Sequence, residues 1–237
     1  MQHPNINQGA VEVFLKSWQI YQEIIKHNYM FHRELSEATQ TALQAIQTGQ
    51  PLRILDMGCG DASMVRLFLS SDQVAMYTGC DLSQPALDIA KSELDASGIS
   101  HRLLCDDMVR IATEQADGSM DLVFSSYALH HLNAIDKERT LREVVRILAP
   151  GGAFVLIDIF RNSDEDRAAY MDNYMGALRQ GWTLLNEASQ NLVINHATEF
   201  DYPETPEFYR ARCAKFGLNH SQRLGKHTWH EAWIYTK

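Results

Sequence analysis

Residues 54–63, Ile-Leu-Asp-Met-Gly-Cys-Gly-Asp-Ala-Ser, pass from an apolar run through two closely spaced glycines into a stretch suited to a helix start. Gly58 and Gly60 can take backbone angles closed to other residues and let a ligand approach the chain closely. Two glycines in a strand–helix turn also occur for geometry alone, so the neighbouring residues carry the inference. Asp81 follows Gly60 by twenty-one positions, behind a second apolar run. A carboxylate there can accept both hydroxyls of a ribose. Asp106 and Asp107 follow a third run, where an acceptor could meet an adenine amino group. Singly, each of these aspartates is more often a turn or cap residue; together they mark one edge of a nucleotide-binding sheet.

The charge of that edge selects the nucleotide. A dinucleotide would bring a pyrophosphate to the loop, and anions prefer helix N-termini free of carboxylates. Here Asp56 precedes the loop and Asp61 lies within it. S-adenosylmethionine (SAM) has no phosphate and carries a sulfonium and an α-ammonium, which the same carboxylates attract. The third glycine of a dehydrogenase loop is also replaced, by Ser63. The loop therefore points to SAM rather than NAD.

These residues need strands to place them. Nearly all-apolar runs at Arg53–Met57, Ala75–Cys80, His101–Cys105, Met120–Ser125 and Ala153–Ile159 alternate with helical patterns near Ser63–Ser70, Pro85–Ser97 and Lys137–Leu148. That alternation predicts a parallel sheet covered on both faces. Residues from about 10 to 48 read as one helix, ended by Gly49-Gln50-Pro51. After Phe160 two helices are expected, Asp164–Gln180 and Leu184–His196, then a helix from Pro203 to about Phe216 and a hairpin of Ser221–Gly225 with Glu231–Thr236. The expected divisions are an N-terminal helical cap (1–50), a Rossmann-like core (51–160), a helical lid (161–202) and a C-terminal helix and β-hairpin (203–237).

Composition bounds the rest. At 237 residues, 45% hydrophobic and 22% charged, the chain suits one α/β unit of ordinary size. No apolar run is long enough for a membrane helix, and Met1–Asn5 does not open a signal peptide. Four cysteines without CxxC spacing argue against a zinc ribbon or a disulfide framework, so reduced thiols and a cytoplasmic location are expected. The net charge of −9 opposes a nucleic-acid partner. The sequence is silent on oligomeric state.

In combination, DMGCGDAS (56–63), GCDLS (79–83), CDDM (105–108), DLVFSSYALHHL (121–132) and LREVVRILAPGGAFVLIDIF (141–160) resemble the class I SAM-dependent methyltransferases. The likeness runs from about residue 50 to the end. It implies an α/β fold with a doubly wound, seven-stranded, mostly parallel sheet whose last strand is antiparallel, and a turn at Pro150-Gly151-Gly152. It further implies that Gly58, Cys59 and Gly60 line the methionine part of SAM, with Asp56 organising the loop. Asp81 would hold the ribose, Leu82 would pack on adenine, and Asp106 would meet its amine beside Asp107 and Met108. Ser125 would open towards the sulfonium. One departure is Ala62, where many members place a third glycine.

Methyl transfer from a sulfonium releases a neutral thioether and needs no general acid, so alignment can supply much of the acceleration. The segment Ser125-Ser126-Tyr127-Ala128 is not the Asn-Pro-Pro-Tyr of amide and nucleobase amino methylation, and no Pro-Cys pair offers a cytosine-C5 nucleophile. A small-molecule acceptor with an N or O nucleophile is expected, with S-adenosylhomocysteine as product. A protein or nucleic-acid methyltransferase, a non-catalytic SAM-binding regulator and an NAD oxidoreductase are the alternatives. His130 and His131 are base candidates, with capping or packing of a helix start as the competing reading. No metal is expected, because no further ligand sits at helical spacing from them. Tyr21, Ile25, Asn28, Tyr29 and His32 fall on one face of the expected N-terminal helix; Tyr21 and Tyr29 are expected to border the methyl group. Tyr170, Tyr174, Trp182 and His196 are expected as an aromatic cover, and His220, His227 and His230 as solvent-facing.

Overall fold

The computed structural model describes residues 19–46 and 49–237. Residues 1–18 of the expected cap lie outside the described residues, as do residues 47–48. Residues 19–26 are helical, and α1 (His32–Ile46) follows a turn. Then come β1 (Leu52–Met57), α2 (Ser63–Arg66), β2 (Val74–Asp81), α3 (Gln84–Ala96), β3 (His101–Cys105), α4 (Met108–Glu114), β4 (Met120–Ser126), α5 (Ala134–Ile147) and β5 (Leu148–Ile159). The chain closes with α6 (Arg167–Gly181), α7 (Glu187–Phe200), α8 (Pro206–Phe216), β6 (His220–His227) and β7 (His230–Thr236).

The seven strands form one sheet in the order β3-β2-β1-β4-β5-β7-β6. β1 to β5 run parallel, and β7 is antiparallel to both β5 and β6. The expected sheet is thus present. Strand order reverses between β1 and β4, which makes that crevice the switch point where such sheets bind ligands. Strand alternation divides the core. Ile54, Tyr77, Phe124 and Val155 pack on one face, and Leu55, Cys80, Val123 and Phe154 on the other, with α5 and α8. Pro150-Gly151-Gly152 falls within β5, where the register with β4 shifts between Met120 and Leu122.

Four expectations change. α4 was not anticipated; Asp107 starts it by accepting from the N–H groups of Val109 and Arg110, both at 3.0 Å. Ser63–Ser70 shortens to the single turn of α2, which ends at Arg66. The N-terminal helix is broken, because Asn28 and Phe31 take left-handed φ values of 55° and 58°. Tyr21 and Tyr29 therefore do not share one continuous face. The insertion is also more than a cover, since Tyr170 and Tyr174 of α6 belong to the buried layer against the sheet.

Tyr29 consequently leaves the pocket assigned to it. Its ring stacks on Trp182 at 5.1 Å, and its hydroxyl accepts from the Leu184 N–H at 2.8 Å. It fastens the N-terminal segment to the insertion, with Ile20 and Ile24 against Leu178 and Leu185. Tyr29→Phe should lower stability by about 1 kcal/mol. Urea unfolding measures that loss, and hydrogen exchange should show faster opening at the Leu184 amide.

Candidate active site

The loop after β1 is shaped by its contacts. Gly58 and Gly60 have φ of 72° and 52°, and a Cβ on Gly58 would fall 2.3 Å from the Cβ of Ala128. The N–H groups of Gly58 and Cys59 donate to the carbonyl of Cys80 at 2.9 and 3.0 Å, tying the loop to β2. Ala62 also lies in the left-handed region, at φ 57°, which accounts for glycine being at home there. Asp81 accepts from the N–H of Gly60 and of Ser83, each at 2.9 Å. Asp61 accepts from Ser63 N–H at 3.0 Å and from the Gln22 amide at 2.9 Å, so the N-terminal helical segment reaches over the loop.

These groups enclose a cavity of about 130 Å³, lined by the loop, Asp56, Asp61, Asp81, Tyr21 and Tyr127 among others. Asp56 is buried, accepts the Tyr77 hydroxyl at 2.7 Å, and its Oδ1 has no hydrogen-bond partner. Burial lifts its pKa to about 7 against the pull of Tyr77, with the Asp81 charge adding to the rise. Burial also raises Asp81, while N–H donors from Ser83, Gly60 and Leu82 oppose it. Both carboxyls are therefore easier to ionise when a cation enters the cavity.

The other expected cofactor residues divide. Leu82 is 75% exposed just beyond β2. Met108 Cε lies near Gly58. Asp106 accepts from Arg110 Nε at 2.7 Å, so that carboxylate is already engaged, and Asp107 is the cap of α4. Ser125 is a correction: it is fully buried, and its hydroxyl donates to the Met57 carbonyl at 3.0 Å. Because side chains alternate along β4, Ser126 lines the cavity instead, with a hydroxyl that has no partner.

A second cavity, about 260 Å³, adjoins the first; Tyr21 and Tyr127 line both. Tyr127 takes a left-handed φ of 51° at the end of β4, and its hydroxyl donates to the Met30 carbonyl. Ile20, Ile24, Tyr174, Trp182, Leu192 and Val193 make the larger cavity mainly apolar. Of the expected aromatic cover, Tyr174, Trp182 and His196 line it, whereas Tyr170 is buried behind Tyr174.

The polar end of this cavity joins distant parts of the chain. His130 and His131 sit on a 3₁₀ turn, not a helix start. His130 is buried; its Nδ1 bonds Asp158 Oδ1 at 2.5 Å, and its N–H donates to Asp158 Oδ2 at 3.1 Å. Its Nε2 lies 3.6 Å from Asp201 Oδ1, which is 3.2 Å from His131 Nδ1. Burial alone would lower the His130 pKa, but Asp158 and Asp201 outweigh it and raise it, with Lys137 opposing. Burial raises Asp201, yet the two histidines bring it below the ordinary carboxylate value. Asp158 and Asp201 had no sequence signal, being 28 and 71 positions from His130. His230 corrects another expectation. It is buried beside Phe31, Tyr127 and Tyr174, and burial takes its pKa down to about 3.

Residues 54–152 match the family described as a methyltransferase domain. With the loop, Asp81 and the sheet order in place, that match decides the family. The chain carries a class I SAM-dependent methyltransferase domain. Over 108 residues it is 32% identical to the demethylmenaquinone methyltransferase of Thermus thermophilus, covering 46% of this chain and 47% of that protein. Over 175 residues it is 27% identical to the carboxy-S-adenosyl-L-methionine synthase of Actinobacillus succinogenes, covering 71% and 69%. This chain thus spans about half the length of the first relative. The YcgJ protein of Bacillus subtilis shares the fold, with a TM-score of 0.57 at 20% identity over 80% of this chain and 70% of that one. None of the described helices of this methyltransferase-domain protein is long and apolar enough to cross a membrane.

Two outcomes test the site as built. Gly58→Ala must force Ala128 away and hold a left-handed alanine, so stability should fall by roughly 2–4 kcal/mol in urea unfolding. Folding raises the Asp56 pKa from 3.8 to about 7, so the folded chain binds that proton more tightly. Stability should therefore decline as pH rises from about 4 to about 7 and level off above it. Asp56→Asn should remove roughly 4 kcal/mol of that slope, read as the difference between the two pH–stability curves.

Proposed function

We propose that the protein transfers the methyl group of SAM to an N or O atom of a small-molecule acceptor, releasing S-adenosylhomocysteine. The observation that carries this reading is a pair of cavities sharing one wall of Tyr21 and Tyr127. One is lined by Asp56, Asp61, Asp81 and the glycine loop; the other is apolar with imidazoles at one end. The carboxylates would attract the sulfonium and α-ammonium, and Gly58, Cys59 and Gly60 would border the methionine chain. Asp81 would hold the ribose. Leu82, Met108, Asp106 and Asp107 lie along the way to the adenine, and Arg110 would have to share Asp106 with its amine.

The methyl carbon would then lie at the shared wall, facing the larger cavity. An acceptor lone pair forms the new bond to that carbon while the carbon–sulfur pair returns to sulfur, leaving a neutral thioether. The chain's contribution is chiefly to align acceptor and methyl and to exclude water. His130 and His131, at the polar end of the larger cavity, would serve as base or orienting groups for an acceptor's heteroatom, and Tyr29 drops out of this role. An apolar cavity of about 260 Å³ suits a small organic acceptor, and the net charge of −9 suits nucleic acid poorly. Free cysteines at all four positions fit a reducing, cytoplasmic setting. The helical segment at 19–26 and residues 161–202 would act as the cover.

Calorimetry should show SAM and S-adenosylhomocysteine binding in the micromolar range and no binding of NAD. Asp81→Ala should weaken SAM more than tenfold. Unchanged affinity in that variant would overturn the ribose assignment, and binding of NAD in preference to SAM would overturn the reading as a whole. Incubation with labelled SAM and a metabolite extract then identifies the acceptor.

A further inference from the structure

Among the described residues, His130, His131 and Asp201 place one donor atom each within 4.8 Å of one another. They come from two separate places, the 3₁₀ turn after β4 and the residue that ends α7. We propose that these three side chains bind a divalent cation of borderline type, such as Zn²⁺, on the wall of the larger cavity.

The donor atoms are arranged as ligands. His130 spends Nδ1 on Asp158, a fully buried carboxylate, which leaves Nε2 as the atom turned to Asp201. A carboxylate on the far nitrogen is the support that metal-bound imidazoles normally have. Asp201 is more than nine-tenths buried. Its Oδ1 faces two imidazole nitrogens at 3.2 and 3.6 Å without a well-aligned hydrogen bond to either. Bonds of about 2.0–2.2 Å to a tetrahedral ion set ligand–ligand edges of about 3.3–3.6 Å, so both separations are within reach of one ion. The His130–His131 edge must close somewhat, which the 39% exposed His131 side chain can accommodate.

Charge supports a cation. Asp158 and Asp201 bring two carboxylates to the cluster. The nearby Lys137 ammonium bonds the carbonyls of Leu132 and Tyr202 instead of either carboxylate. Two imidazoles and one carboxylate form a donor set suited to Zn²⁺ and its neighbours, with a coordination position left open. All three side chains line the larger cavity, so that open position faces it. The ligand class this adds is an organic molecule with an oxygen or nitrogen lone pair able to complete the shell. The proposal goes beyond methyl transfer, and ion binding is measured without SAM or acceptor.

The test uses the full chain stripped of metal and titrated with Zn²⁺ by calorimetry, and with Co²⁺ by visible absorption. One equivalent of Zn²⁺ should bind, and Co²⁺ should give the intense bands of a four-coordinate site. His131→Ala and Asp201→Asn should each weaken Zn²⁺ at least tenfold. Asp158→Asn should weaken it about 10- to 100-fold through the freed His130 ring. Absence of one-to-one binding, or wild-type affinity in His131→Ala, overturns the proposal and leaves a His–Asp contact only. Circular dichroism checks that each variant folds; if Asp201→Asn does not, the more exposed His131 decides. SAM calorimetry on the same preparations keeps a failure of the ion site distinct from a failure of the methyltransferase reading.

Discussion

The missing side chain at Gly58 lets the loop after β1 lie against the turn after β4, since any Cβ there would collide with Ala128. That approach brings two strand ends into one crevice. On the β1 side stand Asp56, Gly60 and Asp61; on the β4 side stand Ser126, Tyr127 and the turn that carries His130 and His131. A bulkier residue would have to push Ala128 away, next in sequence to Tyr127, whose ring lines both cavities. The left-handed backbone of Tyr127 belongs to the same constraint, because its N–H must donate to the Ile157 carbonyl at 2.8 Å while its ring turns into the wall. Strain of this kind persists where surrounding contacts over-determine it.

Charge is distributed unevenly along this edge. Asp81 and Asp61 are held by backbone N–H groups, whereas Asp56 has one hydroxyl donor and an oxygen with no partner. Burial raises its pKa, and the one Tyr77 hydroxyl is too little to oppose the rise. The edge is therefore less negative than a count of aspartates suggests until a cation arrives to favour ionisation. At the other end, Asp158 and Asp201 answer the desolvation of His130 with two carboxylates. Burial draws His32 down to about 4 against the weaker opposing charges of Asp61 and Glu34, and draws His230 down to about 3. These three histidines thus fall into two electrostatic classes, set by whether carboxylates lie close enough to outweigh burial.

What the sequence made legible is what local rules control. The glycine loop, Asp81 and the alternation of apolar strands with amphipathic helices depend on short spacings, and the family match at residues 54–152 covers that stretch. α4 is short and starts on Asp107, whose carboxylate caps Val109 and Arg110, and a lone aspartate after a strand suits a cap and a ligand group alike. Ser125 and Ser126 show the limit of a single strand: one residue of phase exchanges crevice for interior. The break at residues 28–31 carried no proline to announce it; two left-handed residues redirect the chain there. His230 reads as a hairpin residue by pattern, and only the N-terminal segment and α6 folded over β7 bury it. Asp158 and Asp201 belong to no local pattern at all, since their pairing with His130 is created by tertiary structure.

The insertion after β5 links these levels. Its first helix supplies Tyr170 and Tyr174 to the layer against the sheet, so it cannot swing away as a unit without exposing core. Its second helix ends at Asp201, next to Tyr202, whose N–H donates to the His130 carbonyl at 2.8 Å. The polar end of the larger cavity is thereby fixed to the sheet through both backbone and side chain. On the opposite rim, helical residues 19–26 meet the glycine loop through the Gln22–Asp61 bond and the insertion through apolar contacts, and Tyr29 adds its stack on Trp182 and the bond from the Leu184 N–H. The two rims therefore differ in kind: the His130–Asp158–Asp201 side is set by buried polar contacts, and the N-terminal side packs on the insertion through Ile20 and Ile24 against Leu178 and Leu185.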